Sequence, residues 1–532
     1  MAENISANID RLLKGFIDAK KTEFVPREAT KVKVDKIVSK LALLYEKLRN
    51  VIDYNEERLI RRNAIKRILK RKVLYKILSK NSALPLTEEL IRAAYLENDK
   101  ITESKVKLVA DSIDKYLTLR DCLAPRFQTK KLKNELTEFI LGILACEIEE
   151  ILVPELREKA LVDCMYSVVR KNVPLQGTGL SEKELDIIYY VNVYRALLKY
   201  DPILVNYLLF KLSIPNWSKA SKTDIDWTCQ NFLKIRKTID KLLTNPNSER
   251  LHRLFKQYTI IFLILRDIID DDPSTAGQIF SDPQKLNDSV REAVNHRYKM
   301  AQGKLRRSLV RSIIYIFITK MLLALILEFP VDIFIEKKIN YTSLITNITF
   351  PPLLMLLVGA SIRVPSTKNT DRIVRLINEI VYEESNEGLY QKVSKAKAGG
   401  FLSRQLFRIV YLIMYVVTFG LIIYLLRLVN FNAVNIVIFL LFLSVVSFFG
   451  FRIRQSAREL KVLPKRESFL TLMVDFFSIP ILKAGRWLSL NLSRINIFIF
   501  IMDIIIEAPF KTLIEIFEDW LSFIREKKEE IT

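Results

Sequence analysis

The chain has 532 residues, half of them apolar, and 83 Lys and Arg against 60 Asp and Glu give it a formal charge of +23. Thirteen glycines, two histidines and four cysteines exclude glycine-dependent architectures such as Rossmann sheets, phosphate loops and collagen, and leave too few soft ligands and nucleophiles for zinc, haem or triad chemistry. An all-α protein remains, and positive mean hydropathy alongside 27% charged residues requires the two properties to be segregated along the chain.

The first ten residues, MAENISANID, carry acids and no apolar stretch, which predicts neither a cleavable signal nor a transit peptide. Up to residue 300 the periodicity is helical, and the apolar runs, such as Phe139–Cys146 and Ile260–Leu265, are short and flanked by charge within a turn. They read as core helices of a soluble region, either one helical bundle or a basic helical domain over 1–130 followed by a bundle over 131–300. Breaks are expected near Asn81–Leu86, Ala124–Thr129, Asn172–Ser181, Ile214–Lys222, Asn245–Asn247 and Asp270–Pro283.

Arg58–Lys80 is the most distinctive soluble stretch, with ten Lys or Arg in 23 residues and no acid. Leu59, Ile60, Ile65, Ile68, Leu69, Val73, Ile77 and Leu78 recur near helical spacing, so one side can bury while the other is cationic. Such a helix suits anionic lipid headgroups; the alternatives are a solvated or internally paired face and, less favoured, nucleic acid. Further on, Thr87 with Glu88 and Glu89 resembles a helix start. Ser181 with Glu184 forms a capping-box pattern. Cys122, Cys146, Cys164 and Cys229 show no paired spacing and are expected to be buried free thiols of a reducing compartment. Gln176-Gly177-Thr178-Gly179 is too short for a phosphate loop and reads as a turn.

Asp267, Asp270 and Asp271 share one helix face, the way magnesium-diphosphate enzymes present carboxylates. No second acidic helix faces them in the sequence, and an acidic helix end before Pro273 is the plainer expectation. No catalytic, cofactor-binding or metal-ligating residue is nominated, and no cofactor is expected.

After residue 300 four apolar stretches, about 312–335, 344–362, 409–429 and 433–451, each match the roughly 20 residues that cross a hydrocarbon core. The last two, separated by Asn430-Phe431-Asn432, predict a tight hairpin. Basic clusters at Lys304–Arg311, Arg363–Arg408 and Arg452–Arg466 all fall on one side if the spans alternate. The membrane domain thus covers 301–466, with both termini cytoplasmic, in a plasma or bacterial inner membrane. Residues 467–532, broken by Asp475, Pro480, Lys483, Asp503, Glu507 and Pro509, are expected to form interfacial or re-entrant amphipathic helices, with two further spans as the competitor.

Ionisable residues inside spans cost ~2.5 to 3.5 kcal/mol each at the centre. Lys320, Glu328, Asp332 and Glu336 form a slowly drifting stripe in span one, and Asp503, Glu507, Lys511 and Glu515 repeat the arrangement. The plainer expectation is that Lys320 snorkels inward, the acids lie at the outer interface and the C-terminal stripe faces water. The sequons at Asn340 and Asn347 matter only in a eukaryotic secretory membrane. The fold expected is all-α: a helical cytoplasmic region followed by a polytopic membrane domain. It would act as a scaffold or membrane anchor with an unidentified protein partner. The alternative is an ion or small-solute channel or transporter built on span one and the C-terminal segments, and a magnesium-dependent lipid enzyme is a third reading.

Overall fold

The computed structural model describes residues 5–22, 30–34, 57–127, 129–176, 180–214, 216–271, 273–334, 337, 341–362, 365, 367–382, 393–394, 401–462, 469–494, 516, 520 and 523–524. Among them the structure is all-α, and the named strands, Leu175–Gln176 and Val393–Ser394, are two residues long. The chain forms two compact units, Ala7–Phe255 with Ile497–Thr532, and Met1–Ser6 with Lys256–Asn496.

The first unit contains α1 (Ala7–Thr22), α2 (Glu57–Leu74), α3 (Ala83–Arg92), α4 (Glu103–Leu123), α5 (Lys130–Leu152), α6 (Leu156–Asn172), α7 (Glu182–Leu197), α8 (Pro202–Ser213) and α9 (Lys222–Leu243). α7, α8 and α9 each start at a side-chain cap, at Ser181, Asp201 and Ser221. Ser181 Oγ accepts from the Glu184 amide while Glu184 accepts from the Ser181 amide, as the sequence pattern anticipates. Asp201 caps α8 ahead of Pro202, whose missing N–H is no loss at a first helical position. Thr87 is no helix start: it is buried within α3, where its hydroxyl donates to the Ala83 carbonyl one turn back, so α3 begins at Ala83. α5 is the centre of the unit. Its buried face, Leu136 to Leu152, packs against α2, α4 and α8.

The expectation of four free thiols is corrected. Cys146 and Cys164 are free and buried, whereas Cys122 at the end of α4 is bonded to Cys229 of α9, with Cα atoms 6.4 Å apart. The partners lie 107 residues apart, a separation that no local cysteine pattern reveals; packing of α9 along α4 brings them together.

α10 (Pro246–Asp271) contains the border between the units and ends just before Pro273, which opens α11 (Pro273–Phe280). In the second unit α12 (Pro283–Leu323) runs through a π-helical turn, Ala324–Glu328, into α13 (Phe329–Phe334), a continuous rod of 52 residues. α14 (Tyr341–Ala360), α15 (Thr367–Tyr382), α16 (Phe401–Leu428), α17 (Ala433–Arg458) and α18 (Phe469–Arg494) follow. Four helices in this half are long and apolar enough to cross a membrane: Pro283–Phe334, Tyr341–Ala360, Gln405–Leu428 and Ala433–Gln455. They coincide with the four expected spans. Large apolar side chains stay exposed along them, Ile314, Phe317 and Leu325 on the first, Leu353 and Leu357 on the second, Leu412 and Val416 on the third, Val437 on the fourth. That is the surface a lipid environment would cover.

Close packing joins spans one, two and four. Ile316, Met355 and Val446 form one apolar cluster, and Leu426, Phe431, Ile436, Phe439 and Leu443 another. Gly485 of α18 sits against the Ser444 carbonyl of α17, where a Cβ would come within 2.0 Å of the oxygen, so only glycine permits that approach. The expected hairpin of spans three and four is tight only at its turn. Asn430 adopts φ 59° there, Leu426 and Phe431 pack on the start of span four, and beyond it α16 meets α18, with Lys483 Nζ 4.4 Å from the Tyr411 ring centre.

α15 falls in the stretch read as a basic connection between spans two and three. Its apolar face, Ile373, Leu376, Ile377 and Ile380, is buried, and Asn369 links α12 to the chain after α17 through Tyr298 Oη at 2.7 Å, the Leu460 carbonyl at 2.9 Å and the Val462 amide at 2.9 Å.

Candidate functional site

Pro330 shapes the polar stripe of span one. Lacking an amide hydrogen, it cannot donate to the carbonyl four residues back, and the preceding amide, Phe329, instead reaches the Ala324 carbonyl five residues back. In an unbroken α-helix two residues eight positions apart differ by ~80° in azimuth; the wider turn reduces that offset and brings Glu328 over Lys320. The two form an ion pair that is wholly buried on both sides, and the Lys320 ammonium lies 4.8 Å from the ring centre of Phe442 in span four. Both side chains are turned into the bundle, so Lys320 does not extend outward to snorkel and Glu328 is enclosed rather than exposed. Glu336 lies outside the described residues, as do Asp503, Glu507, Lys511 and Glu515.

Asp332, one turn beyond Glu328, is also buried. Its Oδ1 accepts from Asn432 Nδ2 at 2.9 Å and lies 3.4 Å from Asn435 Nδ2. Asn435 Nδ2 is 3.3 Å from Ser343 Oγ, and Asn347 Nδ2 reaches the Asn435 carbonyl at 3.5 Å. Asn432 meanwhile caps span four by accepting from the Asn435 amide at 2.7 Å. Three spans thus converge on a polar cluster. Ile316, packed with Met355 and Val446, lies one helical turn before Lys320, and in the other direction the cluster extends to the half-buried Asn432 at the turn between spans three and four. The sequence had pointed to the charges but not to the amides. Asn347 stood out only as a sequon and Asn432 only as a turn residue, although Asn347 and Asn435 are polar residues within apolar runs and merit the same scrutiny as intramembrane charges. Asn347 is fully buried in the bundle, so this fold leaves no glycosylation site there.

The basic helix is mostly engaged by the chain's own acids. Arg61 meets Glu149 at 3.1 Å, Arg62 is buried and bidentate on Asp201, Lys66 and Lys70 share Glu138, and Arg71 meets Glu89 at 2.6 Å. Although burial alone would raise the Glu138 carboxyl, the hydrogen bonds and charges of Lys70 and Lys66 hold it below the usual carboxylate range. Ala64, Ile65, Ile68 and Leu69 are buried against α5. What remains outside is the tip. Leu74, Tyr75 and Ile77 are 72%, 63% and 58% exposed, among the exposed Lys76 and Lys80 and the half-buried Lys72.

Asp267 takes both nitrogens of a bidentate Arg297 and lies 3.5 Å from Arg266, and Arg266 also approaches Asp270. The face suggested for magnesium is thereby partly neutralised. Among the described residues no group of three or more His, Cys, Asp or Glu is arranged to hold a metal ion.

A further network escaped the sequence reading. Glu147 of α5 accepts from Ser112 at 2.8 Å and Lys115 at 2.5 Å on one oxygen and from Tyr116 at 2.8 Å on the other, while Trp217 Nε1 donates to Tyr116 Oη and Lys115 also donates to the Trp217 carbonyl. Burial pushes the Lys115 ammonium down against the pull of Glu147, and burial with the Glu147 charge pushes the Tyr116 phenol well up. With both carboxylate oxygens and the Trp217 indole partnered, this is an internal brace.

Fold and site together define an all-α protein with four helices of membrane-crossing length and apolarity, three of which enclose a buried cluster of charges and amides. No protein-family model, curated protein or solved structure matches the chain.

Proposed function

We propose that the chain is a polytopic membrane protein whose basic loops and both termini are cytoplasmic, and whose helical N-terminal unit is a non-enzymatic scaffold held against anionic headgroups. The tip of α2 carries this reading. Three large apolar side chains, Leu74, Tyr75 and Ile77, stand exposed beside Lys76 and Lys80, a combination that inserts apolar groups shallowly while each base near the surface gains ~1 kcal/mol on an anionic membrane. The rest of the basic helix contributes little to that contact, because Arg61, Arg62, Lys66, Lys70 and Arg71 already face carboxylates of the same unit. The same pairing removes the run of free cations that phosphate-backbone binding would use.

The test uses full-length protein carrying Tyr75→Cys, labelled with a polarity-sensitive fluorophore and reconstituted into vesicles. Cys146 and Cys164 are buried and Cys122 is bonded to Cys229, so the label reports position 75. Emission should shift to the blue when phosphatidylglycerol is added to neutral lipid, and Lys72→Glu with Lys76→Glu and Lys80→Glu should remove the shift. A spectrum indifferent to lipid charge would sink the headgroup reading.

A second reading, passage of an ion or small solute, is favoured by one observation: Lys320, Glu328 and Asp332 are buried together among three spans, where ionisable groups are costly and usually functional.

A further inference from the structure

The cluster in spans one, two and four leaves oxygens over. Glu328 Oε2, Asp332 Oδ2, Asn347 Oδ1 and Asn435 Oδ1 are buried without a hydrogen-bond partner, on side chains that are 0%, 2%, 0% and 1% exposed. Each belongs to a group whose other polar atom is already engaged within the cluster: Glu328 with Lys320, Asp332 with Asn432 and Asn435, Asn435 with Asp332 and Ser343, Asn347 with the Asn435 carbonyl. The groups are therefore fixed in place while one acceptor on each remains unused. A buried acceptor without a donor is destabilising, and an unpaired carboxylate oxygen more so. Three of them belong to the hydrogen-bonded group of Asp332, Asn435 and Asn347, and the fourth, on Glu328, lies one helical turn from Asp332; together they call for a shared positive partner, and the described side chains supply only Lys320.

Charge and chemistry narrow that partner. Lys320 contributes one positive charge, Glu328 and Asp332 one negative each, so the cluster carries a net single negative charge. One monovalent cation balances it; a divalent ion would overcompensate. The donors are carboxylate and amide oxygens, with the Ser343 hydroxyl adjoining, a set that suits hard cations and offers no thiolate or imidazole to a transition metal. Ile316, packed with Met355 and Val446, lies one turn before Lys320, and the half-buried Asn432 marks the cluster's approach from the turn between spans three and four. We propose that Glu328, Asp332, Asn347 and Asn435 form a binding site for one alkali cation of sodium size, entered past Asn432. The proposal goes beyond the scaffold reading and does not depend on it, because it concerns other residues and a different ligand.

Binding of radiolabelled sodium to the full-length protein in detergent, at constant ionic strength maintained with choline chloride, tests it directly. Saturable binding near one ion per chain is expected, displaced by unlabelled sodium and not by choline. Asp332→Asn should weaken it by at least about tenfold, since loss of even an outer-shell group costs that much at metal sites; Asn347→Ala should weaken it less. Lys320→Met would leave two uncompensated carboxylates and should let calcium compete where it does not in the parent protein. Absence of saturable sodium binding to the parent protein overturns the proposal without recourse to any variant. So does sodium binding that is indifferent to both Asp332→Asn and Asn347→Ala, or calcium displacing sodium from the parent protein more effectively than sodium itself. A cluster that responds only to pH would mean that Asp332 holds a proton instead, which also overturns it.

Discussion

Two buried clusters, Glu147 in the N-terminal unit and Asp332 with Glu328 in the spans, solve the same problem in opposite ways. Glu147 accepts from Ser112, Lys115 and Tyr116, and both of its oxygens are engaged. Asp332 and Glu328 each keep one oxygen without a donor. A network that uses its polar atoms internally rigidifies a core; one that leaves fixed acceptors over is organised around something else. The lesson is that burial and charge alone do not separate brace from site. Unused hydrogen-bonding capacity does.

The largest effect follows from removing the brace. Glu147→Gln leaves the Lys115 ammonium buried without its counter-charge, and breaking a buried pair in this way costs about 3 to 5 kcal/mol. Thermal unfolding of the full-length protein, followed by circular dichroism, should show a much lower midpoint. Asp332→Asn in sodium-free buffer should change the midpoint far less, because it removes a charge that the cluster itself does not balance. If Asp332→Asn proved the more damaging, the distinction between the two clusters would fail.

A smaller effect concerns the covalent tie that helps close the N-terminal unit. A disulfide typically stabilises by about 2 to 4 kcal/mol, in large part by restricting the unfolded chain, and Cys122–Cys229 closes a separation of 107 residues. Reduction, or Cys122→Ser with Cys229→Ser, should lower the unfolding midpoint less than Glu147→Gln does. Full alkylation of Cys122 in protein that has never met a reductant would show instead that packing alone holds α4 to α9.

Much of the architecture was legible because it rests on local rules. Span lengths follow from bilayer thickness, so the stretches about 312–335, 344–362, 409–429 and 433–451 fall on the observed helices. The Ser181 cap follows from a four-residue pattern. Thr87 misled because a hydroxyl before acids marks a helix start only when it lies outside the helix, and its burial within α3 is a tertiary fact. The pairing of Cys122 with Cys229, the meeting of Asp332 with Asn432 and Asn435, and that of Asn435 with Ser343 join residues about a hundred positions apart; periodicity does not encode which helices become neighbours. Lys320 and Glu328 were visible as a stripe, but their pairing needed the π turn that Pro330 imposes.

The smallest effect lies between the two extremes, at a carboxylate engaged by two partners yet partly exposed. Glu138 receives Lys66 at 2.9 Å and Lys70 at 2.5 Å, and its side chain is 40% exposed, so solvent screening limits its contribution to under about 1 kcal/mol. Its carboxyl is held below the usual range when folded, which sets the sign. Stability from this group is present in full above the unfolded value of about 4.3 and is lost as pH falls through the lower folded value. Glu138→Gln should therefore lower the unfolding midpoint slightly at neutral pH, and the gap between variant and parent should close in acid below that range. A gap that persists unchanged into acid would show that Glu138 holds α2 to α5 by packing and neutral hydrogen bonds, in which case the pairing of Lys66 and Lys70 would not restrain them from binding lipid and the contact proposed for the tip would extend up the helix.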